Sequence, residues 1–183
     1  MHTHMKKLSI AALAIVSMIM ASCSSPKQEQ QDHITGLEES LFSGEAGRIN
    51  MNKANELILA YRSFAEDYPD DPLAPEYLFK AGDMAMNLNK PREAVQIFDR
   101  ILNNYPDYEK IPQSLFLKGY IYENQLRDLT TAKKIYEEFL ERFPEDEFAD
   151  DAEMSIRNLG KSPEELIREF EERSGEAQEK ETI

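Results

Sequence analysis

Three segments of the chain share one spacing of apolar positions. Each places hydrophobic residues at offsets 0, 3, 4, 7, 8 and 11, which is the spacing that lines one face of an α-helix. Each segment ends in Tyr-Pro or Phe-Pro, and proline stops a helix because it lacks an amide donor and moves the preceding residue out of helical geometry. The pattern therefore predicts three amphipathic helices that recur after 37 and then 38 residues, at 57–68, 94–105 and 132–143.

A second helical pattern, at 78–82 and again at 115–119, precedes the last two of these helices. Both copies carry a glycine, which costs up to about 1 kcal/mol in a helix relative to alanine, so its recurrence indicates a position where two helices approach closely. The predicted inward stripe is Leu78, Gly82 and Ala85 in the first copy and Leu115, Gly119 and Tyr122 in the second. Ala94 and Ala132 are the small residues predicted to face the glycines on the opposing helix.

These residues resemble the tetratricopeptide repeat, whose pattern places Gly, Ala, an aromatic residue and Pro at fixed steps. In the first copy these are Gly82, Ala94, Phe98 and Pro106. In the second copy, with one residue inserted between its two helices, they are Gly119, Tyr122, Ala132, Tyr136 and Pro144. Leucine occupies the position of the usual first Trp in both copies.

The resemblance implies an all-α fold, a right-handed superhelix of helical hairpins with about three repeats plus a capping helix. Residues 68–156 look most like the repeats of envelope proteins that accompany the Tol-Pal system, or those of BamD-like lipoproteins of outer-membrane barrel assembly. The repeat motif is specific for the fold and much less specific for the task.

The N-terminal residues predict export and a lipid anchor. Lys6 and Lys7 precede an apolar stretch at 8–20 that is too short to cross a bilayer, so 1–22 is predicted to be a lipoprotein signal peptide. The sequence Met-Ala-Ser-Cys at 20–23 resembles a lipobox, which implies cleavage before Cys23 and acylation of that residue. The alternative is that Cys23 is an ordinary buried thiol.

The remaining boundaries follow from composition and helix signals. Residues 23–48 are predicted to hold the lipidated cysteine and a flexible tether through His33, with a possible short helix at 34–42. The repeat domain is predicted at 49–173, and Ser162-Pro163-Glu164-Glu165 begins its capping helix, whose apolar residues are Leu166 and Phe170. A disordered acidic tail is predicted at 174–183.

Charge and composition narrow the chemistry. The chain has 35 acidic and 21 basic residues, a formal net charge of −14, which repels phosphate backbones and argues against nucleic acid as a partner. A single cysteine rules out a disulfide within the chain. No Cys/His metal spacing and no Gly-rich phosphate loop occurs in the sequence. We therefore expect a non-enzymatic protein with no metal and no cofactor.

A second stripe on the first helix of each pair is the candidate binding groove. Its members are Phe79, Asp83, Met86 and Asn87, matched by Phe116, Tyr120, Glu123 and Asn124. Aromatic, thioether and amide groups side by side suit recognition of a peptide. As alternatives, Phe79 and Phe116 belong to the core, and Asn87 and Asn124 are helix-end residues.

Together these features predict an adaptor that is lipid-anchored to the periplasmic side of the outer membrane of a Gram-negative bacterium. Its groove would bind a segment of another cell-envelope protein. The alternative is a glycan-binding or peptidoglycan-binding module that uses Tyr120, Asn87 and Asn124. The oligomeric state is left open by the sequence.

Overall fold

The computed structural model describes residues 24–42 and 50–171, and within these two ranges every regular element is a helix. The helices are α1 (Pro26–Phe42), α2 (Met51–Asp67), α3 (Leu73–Asn87), α4 (Pro91–Asn104), α5 (Ile111–Asn124), α6 (Leu129–Arg142), α7 (Ala149–Asn158) and α8 (163–171). None of the described helices is long and apolar enough to span a bilayer. The predicted signal peptide, Cys23 and the predicted acidic tail lie outside the described residues.

The chain divides into two compact units, Met1–Pro69 and Asp70–Ile183. In the first unit α1 packs against α2. The side chain of Ile34 is only 1% exposed, and Tyr61 donates its hydroxyl hydrogen to Glu38 Oε1 at 2.6 Å. These contacts join the two helices.

The predicted flexible tether is wrong, because a single 17-residue helix begins at Pro26, and the helix predicted at 34–42 is the second half of it. Proline is well tolerated in the first turn of a helix, and Ser25 Oγ accepts a hydrogen bond from the Gln28 amide at 3.2 Å. Most of the polar stretch that suggested a tether is exposed on this helix, but Gln30 Nε2 donates to Asp67 Oδ2 at 2.7 Å. Ile34 adds a buried apolar side chain.

The second unit is a run of helices in which each helix from α3 to α6 packs on the next. The closest pairs are α3 with α4 and α5 with α6, joined by contacts of α4 with α5 and of α6 with α7. The predicted all-α arrangement of helical hairpins is confirmed. The buried core around α6 contains Leu115, Ile135, Tyr136, Phe139 and Ala152.

The predicted helix stops are confirmed by backbone geometry. The residues before the three prolines, Tyr68, Tyr105 and Phe143, have φ of −132°, −131° and −136° and ψ of 62°, 59° and 56°. Each donates its amide to the carbonyl four residues earlier and then leaves the helix. The same chemistry thus produces the same turn three times.

The predicted close approach at the two glycines is also confirmed. A Cβ atom added to Gly82 would lie 3.0 Å from the Phe98 ring, and one added to Gly119 would lie 2.7 Å from the Tyr136 ring. The nearest atoms therefore belong to flat aromatic rings, which corrects the expectation that alanines set the approach. Ala94 and Ala132 are fully buried on the same helices.

The capping box before α8 forms as predicted. The Ser162 amide donates to Glu165 Oε2 at 2.8 Å, and the Glu165 amide donates to Ser162 Oγ at 3.2 Å. The apolar face of α8 is only partly as expected, since Leu166 is half-buried whereas Phe170 is 65% exposed.

Candidate functional site

Phe79, the first aromatic residue of the candidate groove, lies within the packing of the first hairpin. Its ring contacts Phe98 edge-on at a centroid distance of 6.0 Å and Tyr108 at 6.4 Å. The ammonium group of Lys110 lies 4.8 Å from the ring centroid. Phe79 is thus covered by neighbours from α4 and from the turn that precedes α5.

Glu76 holds that turn in place. Its Oε2 accepts hydrogen bonds from the Tyr108 hydroxyl at 2.6 Å and from Lys110 Nζ at 2.9 Å. Burial raises the pKa of the Glu76 carboxyl, but the hydrogen bonds from Tyr108 and Lys110 outweigh it, so the net pKa is lower than usual. Burial and the bond to Glu76 raise the pKa of the Tyr108 hydroxyl, which stays protonated.

Phe116, the equivalent of Phe79, is also part of the packing. It stacks on Phe148 with a centroid distance of 5.0 Å and contacts Tyr136 at 5.6 Å and Phe139 at 5.8 Å. Phe148 stands 38 residues after Lys110, so a ring covers this phenylalanine where an ammonium group covers the earlier one. Neighbouring side chains therefore cover most of the surface of both phenylalanines, as the core alternative predicted.

Two further candidates are engaged within their own repeat. Glu123 Oε2 accepts a hydrogen bond from the Tyr136 hydroxyl at 2.8 Å. Asn124 Nδ2 donates to the carbonyl oxygen of Tyr120 at 3.2 Å, which supports the helix-end interpretation of this asparagine. Asp83 is half-buried, four residues before Asn87 on α3.

Four of the eight candidates, including Phe116, come together in one pocket. Met86 and Asn87 at the end of α3 and Phe116 and Tyr120 on α5 line a cavity of about 410 Å³ that opens to solvent. Tyr120 is 42% exposed, the most accessible aromatic side chain of this lining. The structure thus places half of the predicted stripe at a shared surface between two successive hairpins.

The sequence pattern did not indicate three residues of this pocket, Asn89, Leu117 and Gln125. Asn89 has a left-handed backbone conformation with φ of 55°, and its amide donates to the Met86 carbonyl at 3.0 Å. Leu117 follows Phe116 directly and therefore does not belong to the predicted stripe. Gln125 is near the residue inserted between the helices of the second copy, which was the one available indication of its role.

Gln125 joins the two hairpins across the floor of the pocket. Its Nε2 donates a hydrogen bond to the backbone carbonyl of Met86 at 3.0 Å, across 39 residues of chain. Its Oε1 is buried and has no hydrogen-bond partner within the described part of the chain. Among the described residues this buried acceptor is therefore left unsatisfied.

A family model for the tetratricopeptide repeat matches residues 76–108 and 113–146. The chain carries two tetratricopeptide repeats. They coincide with the α3–α4 and α5–α6 hairpins, and all residues of the pocket lie within or between them. The third helix with the shared apolar spacing, α2, lies outside the match. No curated protein matches the chain.

The repeats indicate the general class of function. The matched residues form tetratricopeptide-type helical hairpins, and proteins with such repeats generally bind other proteins and act as scaffolds rather than catalysts. Among residues 24–42 and 50–171 no group of three or more His, Cys, Asp or Glu side chains is placed to hold a metal ion.

Proposed function

We propose that the protein is a non-enzymatic adaptor, anchored through an acylated Cys23 to the periplasmic side of the outer membrane, whose repeats bind a segment of another cell-envelope protein. The observation that carries the binding role is the pocket shared by the two tetratricopeptide repeats. It lies between the first helices of both hairpins, where a segment from outside can contact the two repeats at once.

The lining of the pocket suits a polypeptide. Met86, Leu117 and the edge of Phe116 offer apolar surface, while Asn87 and the other amides offer donors and acceptors. No charged side chain lines the pocket within the described residues, although the chain as a whole carries a net charge of −14. Such a surface can bind a peptide backbone and an apolar side chain together.

Photo-crosslinking in intact cells tests the binding role. Benzoylphenylalanine in place of Tyr120 should capture a defined cell-envelope protein, because this side chain is exposed at the pocket. The same probe in place of Met154, which is 50% exposed on α7, serves as the control. Identical crosslinked products at both positions, or none at Tyr120, would remove the pocket from this proposal.

The lipid anchor is supported by the resemblance of residues 20–23 to a lipobox and by the position of the first described helix. Only two residues separate Cys23 from Pro26, where α1 begins. An acylated Cys23 would therefore hold α1 within about 10 Å of the bilayer surface. The Cys23→Ala variant should move to the soluble fraction, whereas Ser22→Thr should remain with membranes. Unchanged membrane association of Cys23→Ala would contradict the anchor.

A peptidoglycan-binding role is the second candidate, and the observation that favours it is the exposed Tyr120 ring in a pocket that also holds Asn87 and Asn89. Sugar rings stack on aromatic faces, and amides bond their acetamido groups. Retention on purified sacculi in high salt that is lost in Tyr120→Ala would favour this role. Full recovery in the unbound fraction would rule it out.

A further inference from the structure

The apolar spacing shared by α2, α4 and α6 contains one position at which α2 has a much smaller side chain. Ile97 in α4 and Ile135 in α6 are 3% and 6% exposed, and Ala60 stands at the same position of α2. Alanine fills less space than isoleucine, and Ala60 lines a hollow of about 300 Å³ that opens to solvent. The rest of the lining also belongs to α1 and α2, so the hollow lies within the first unit.

The residue before Ala60 is a projecting apolar side chain. Leu59 is 61% exposed, whereas the equivalent residues of α4 and α6 are the exposed polar residues Gln96 and Lys134. A single exposed leucine is ordinary on a protein surface. Leu59, however, stands at the edge of the hollow and contributes to its lining. The face of α2 therefore carries an apolar projection directly beside an apolar gap.

A projection and a gap on the same face make that face self-complementary. A two-fold axis places the same patch of two copies against each other, so each group of one copy meets its counterpart on the other. Around such an axis, Leu59 of each copy enters the hollow beside Ala60 of the other. Apolar surface that faces water in the separate chain is then covered in both copies, which favours association.

The polar rim of the hollow is complementary in the same way. It contains one carboxylate, that of Glu56, together with two groups that can donate hydrogen bonds to it, the Ser63 hydroxyl and the His33 ring. Glu56 lies one helical turn before Leu59, and Ser63 lies one turn after it. An antiparallel contact of two α2 helices centred at Leu59 therefore brings Glu56 of one copy to Ser63 of the other.

The remaining charges limit the strength of such a contact. Residues 24–42 and 50–69 carry seven acids and three bases besides His33. Two of the acids, Glu38 and Asp67, accept hydrogen bonds within the unit. The excess of acids opposes the approach of a second copy, and a contact through one helix pair is small, so the association belongs to the weak class of interfaces. The proposed lipid anchor would raise the effective concentration of the copies.

We propose that this face binds a second copy of the chain, in a weak two-fold dimer in which Leu59 of each copy fills the hollow beside Ala60 of the other. The inference goes beyond the proposed adaptor function. It uses only residues of α1 and α2, none of which lines the pocket between the repeats.

Sedimentation equilibrium measures the association, on the chain without its predicted signal peptide and with Cys23→Ala. Leu59→Gln, which installs the α4 residue, should weaken the dimer at least tenfold, equivalent to about 1.4 kcal/mol. Ala60→Ile, which installs the residue of both other helices, should weaken it similarly because the hollow is filled. Lys134→Gln on α6 is the matched control and should leave it unchanged. A chain that stays monomeric at every concentration, or a dimer insensitive to Leu59→Gln, would overturn the proposal.

Urea unfolding of the same variants separates association from folding. Ala60→Ile should retain the stability of the parent chain, since isoleucine fits this position in α4 and α6. Leu59→Gln changes an exposed side chain and remains decisive even if the isoleucine variant is unstable. A stable Ala60→Ile variant that dimerises as tightly as the parent would show that the hollow is not the contact.

A thiol-specific crosslink tests which face is joined. In the Cys23→Ala background, Leu59→Cys supplies the only cysteine of the chain. A short bis-maleimide should join two copies through this residue, while Gln96→Cys and Lys134→Cys, at the equivalent exposed positions, should give little dimer. Equal yields at the three positions would overturn the proposal.

A mixture of two cysteine variants tests the antiparallel arrangement. Glu56→Cys and Ser63→Cys chains, both in the Cys23→Ala background, should form the mixed crosslinked dimer in preference to either homodimer. A preference for the two homodimers would contradict the contact centred at Leu59.

Two further outcomes would assign the face to another occupant. Binding of a monomeric chain to phosphatidylcholine vesicles, lost in Leu59→Gln, would overturn the proposal in favour of a lipid surface. Capture of a different protein by benzoylphenylalanine at position 59 in cells, without a product of twice the chain mass, would overturn it in favour of another protein. Neither result bears on the adaptor function, which is tested at Tyr120.

Discussion

The hydroxyl of Tyr136 donates a hydrogen bond to Glu123 Oε2 at 2.8 Å, and the equivalent positions of the preceding repeat hold Phe98 and Met86. One repeat thus has a polar pair where the other has two apolar residues. Burial raises the pKa of the Tyr136 hydroxyl, and the bond to the Glu123 carboxylate raises it further, so the phenol remains a donor. The two repeats have the same helical-hairpin backbone, but the side chains at these two positions form a hydrogen bond in one repeat and are apolar in the other.

Exchanging the polar pair for the apolar pair should be tolerated only when both residues change. Tyr136→Phe alone should lower the free energy of unfolding by about 2 kcal/mol, because it leaves the part-buried Glu123 carboxylate without its donor. Adding Glu123→Met should restore most of this loss. Urea unfolding of both single variants and the double variant gives the coupling energy. Additive effects of the two substitutions would contradict the pairing.

Alanine at Gly119 should destabilise the second repeat. Its Cβ would lie 2.7 Å from the fully buried Tyr136 ring, which is also held by Glu123, so the ring has little freedom to move. We expect a loss of about 1–3 kcal/mol in urea unfolding, in spite of the better helix propensity of alanine. Gly82→Ala should cost less, since the Phe98 ring is 3.0 Å away and carries no hydrogen bond.

Gly36→Ala is the matched control for these substitutions. Gly36 lies inside α1, and an added Cβ would meet nothing within 4 Å. This variant should therefore gain about 0.5–1 kcal/mol from helix propensity alone. A loss of stability at Gly36 equal to that at Gly119 would show that the ring contact does not explain the glycine.

Acid should weaken the contact between α3 and the turn before α5. The pKa of Glu76 is lower in the folded protein than its ordinary value of 4.5, so its contribution to stability is present above about pH 4.5 and is lost as the pH falls through the folded value. The difference in unfolding free energy between wild type and Glu76→Gln should therefore shrink from pH 7 to pH 3. Tyr108→Phe, which removes one donor to this carboxylate, should reduce the same pH dependence in part. A constant difference across this range would contradict the assignment.

Ile34→Ala tests whether α1 is an integral part of the first unit. Removing this fully buried side chain should cost about 2–5 kcal/mol of unfolding free energy. The exposed Glu39→Ala on the same helix should stay within about 0.5 kcal/mol of wild type. If both substitutions were equally silent in thermal and urea unfolding, α1 would be the tether that composition suggested.

The sequence predicted those structural features in which one residue acts on its near neighbours along the chain. The prolines after Tyr68, Tyr105 and Phe143 stop their helices because the effect is confined to adjacent residues. The capping box at Ser162 and Glu165 spans three residues and formed as predicted. The apolar spacing likewise identified which face of each repeat helix is buried.

The sequence predicted the candidate binding site only in part. Periodicity shows which residues share a helix face, but it does not show which other side chains cover that face. Phe79 and Phe116 stand on the predicted stripe, yet residues from later turns cover them. Met86, Asn87 and Tyr120 stayed accessible at the pocket. The distinction depends on side chains about 30 residues away along the chain.

The helices of the repeats, their ends and their spacing follow from local sequence, since they depend on contacts within a few residues. The packing of polar α1 does not, because it depends on the buried Ile34 and on the contact of α1 with α2. Only the tertiary structure placed Gln125 against Met86, because that hydrogen bond spans 39 residues. Such contacts arise when one repeat packs on the next, which no local pattern encodes.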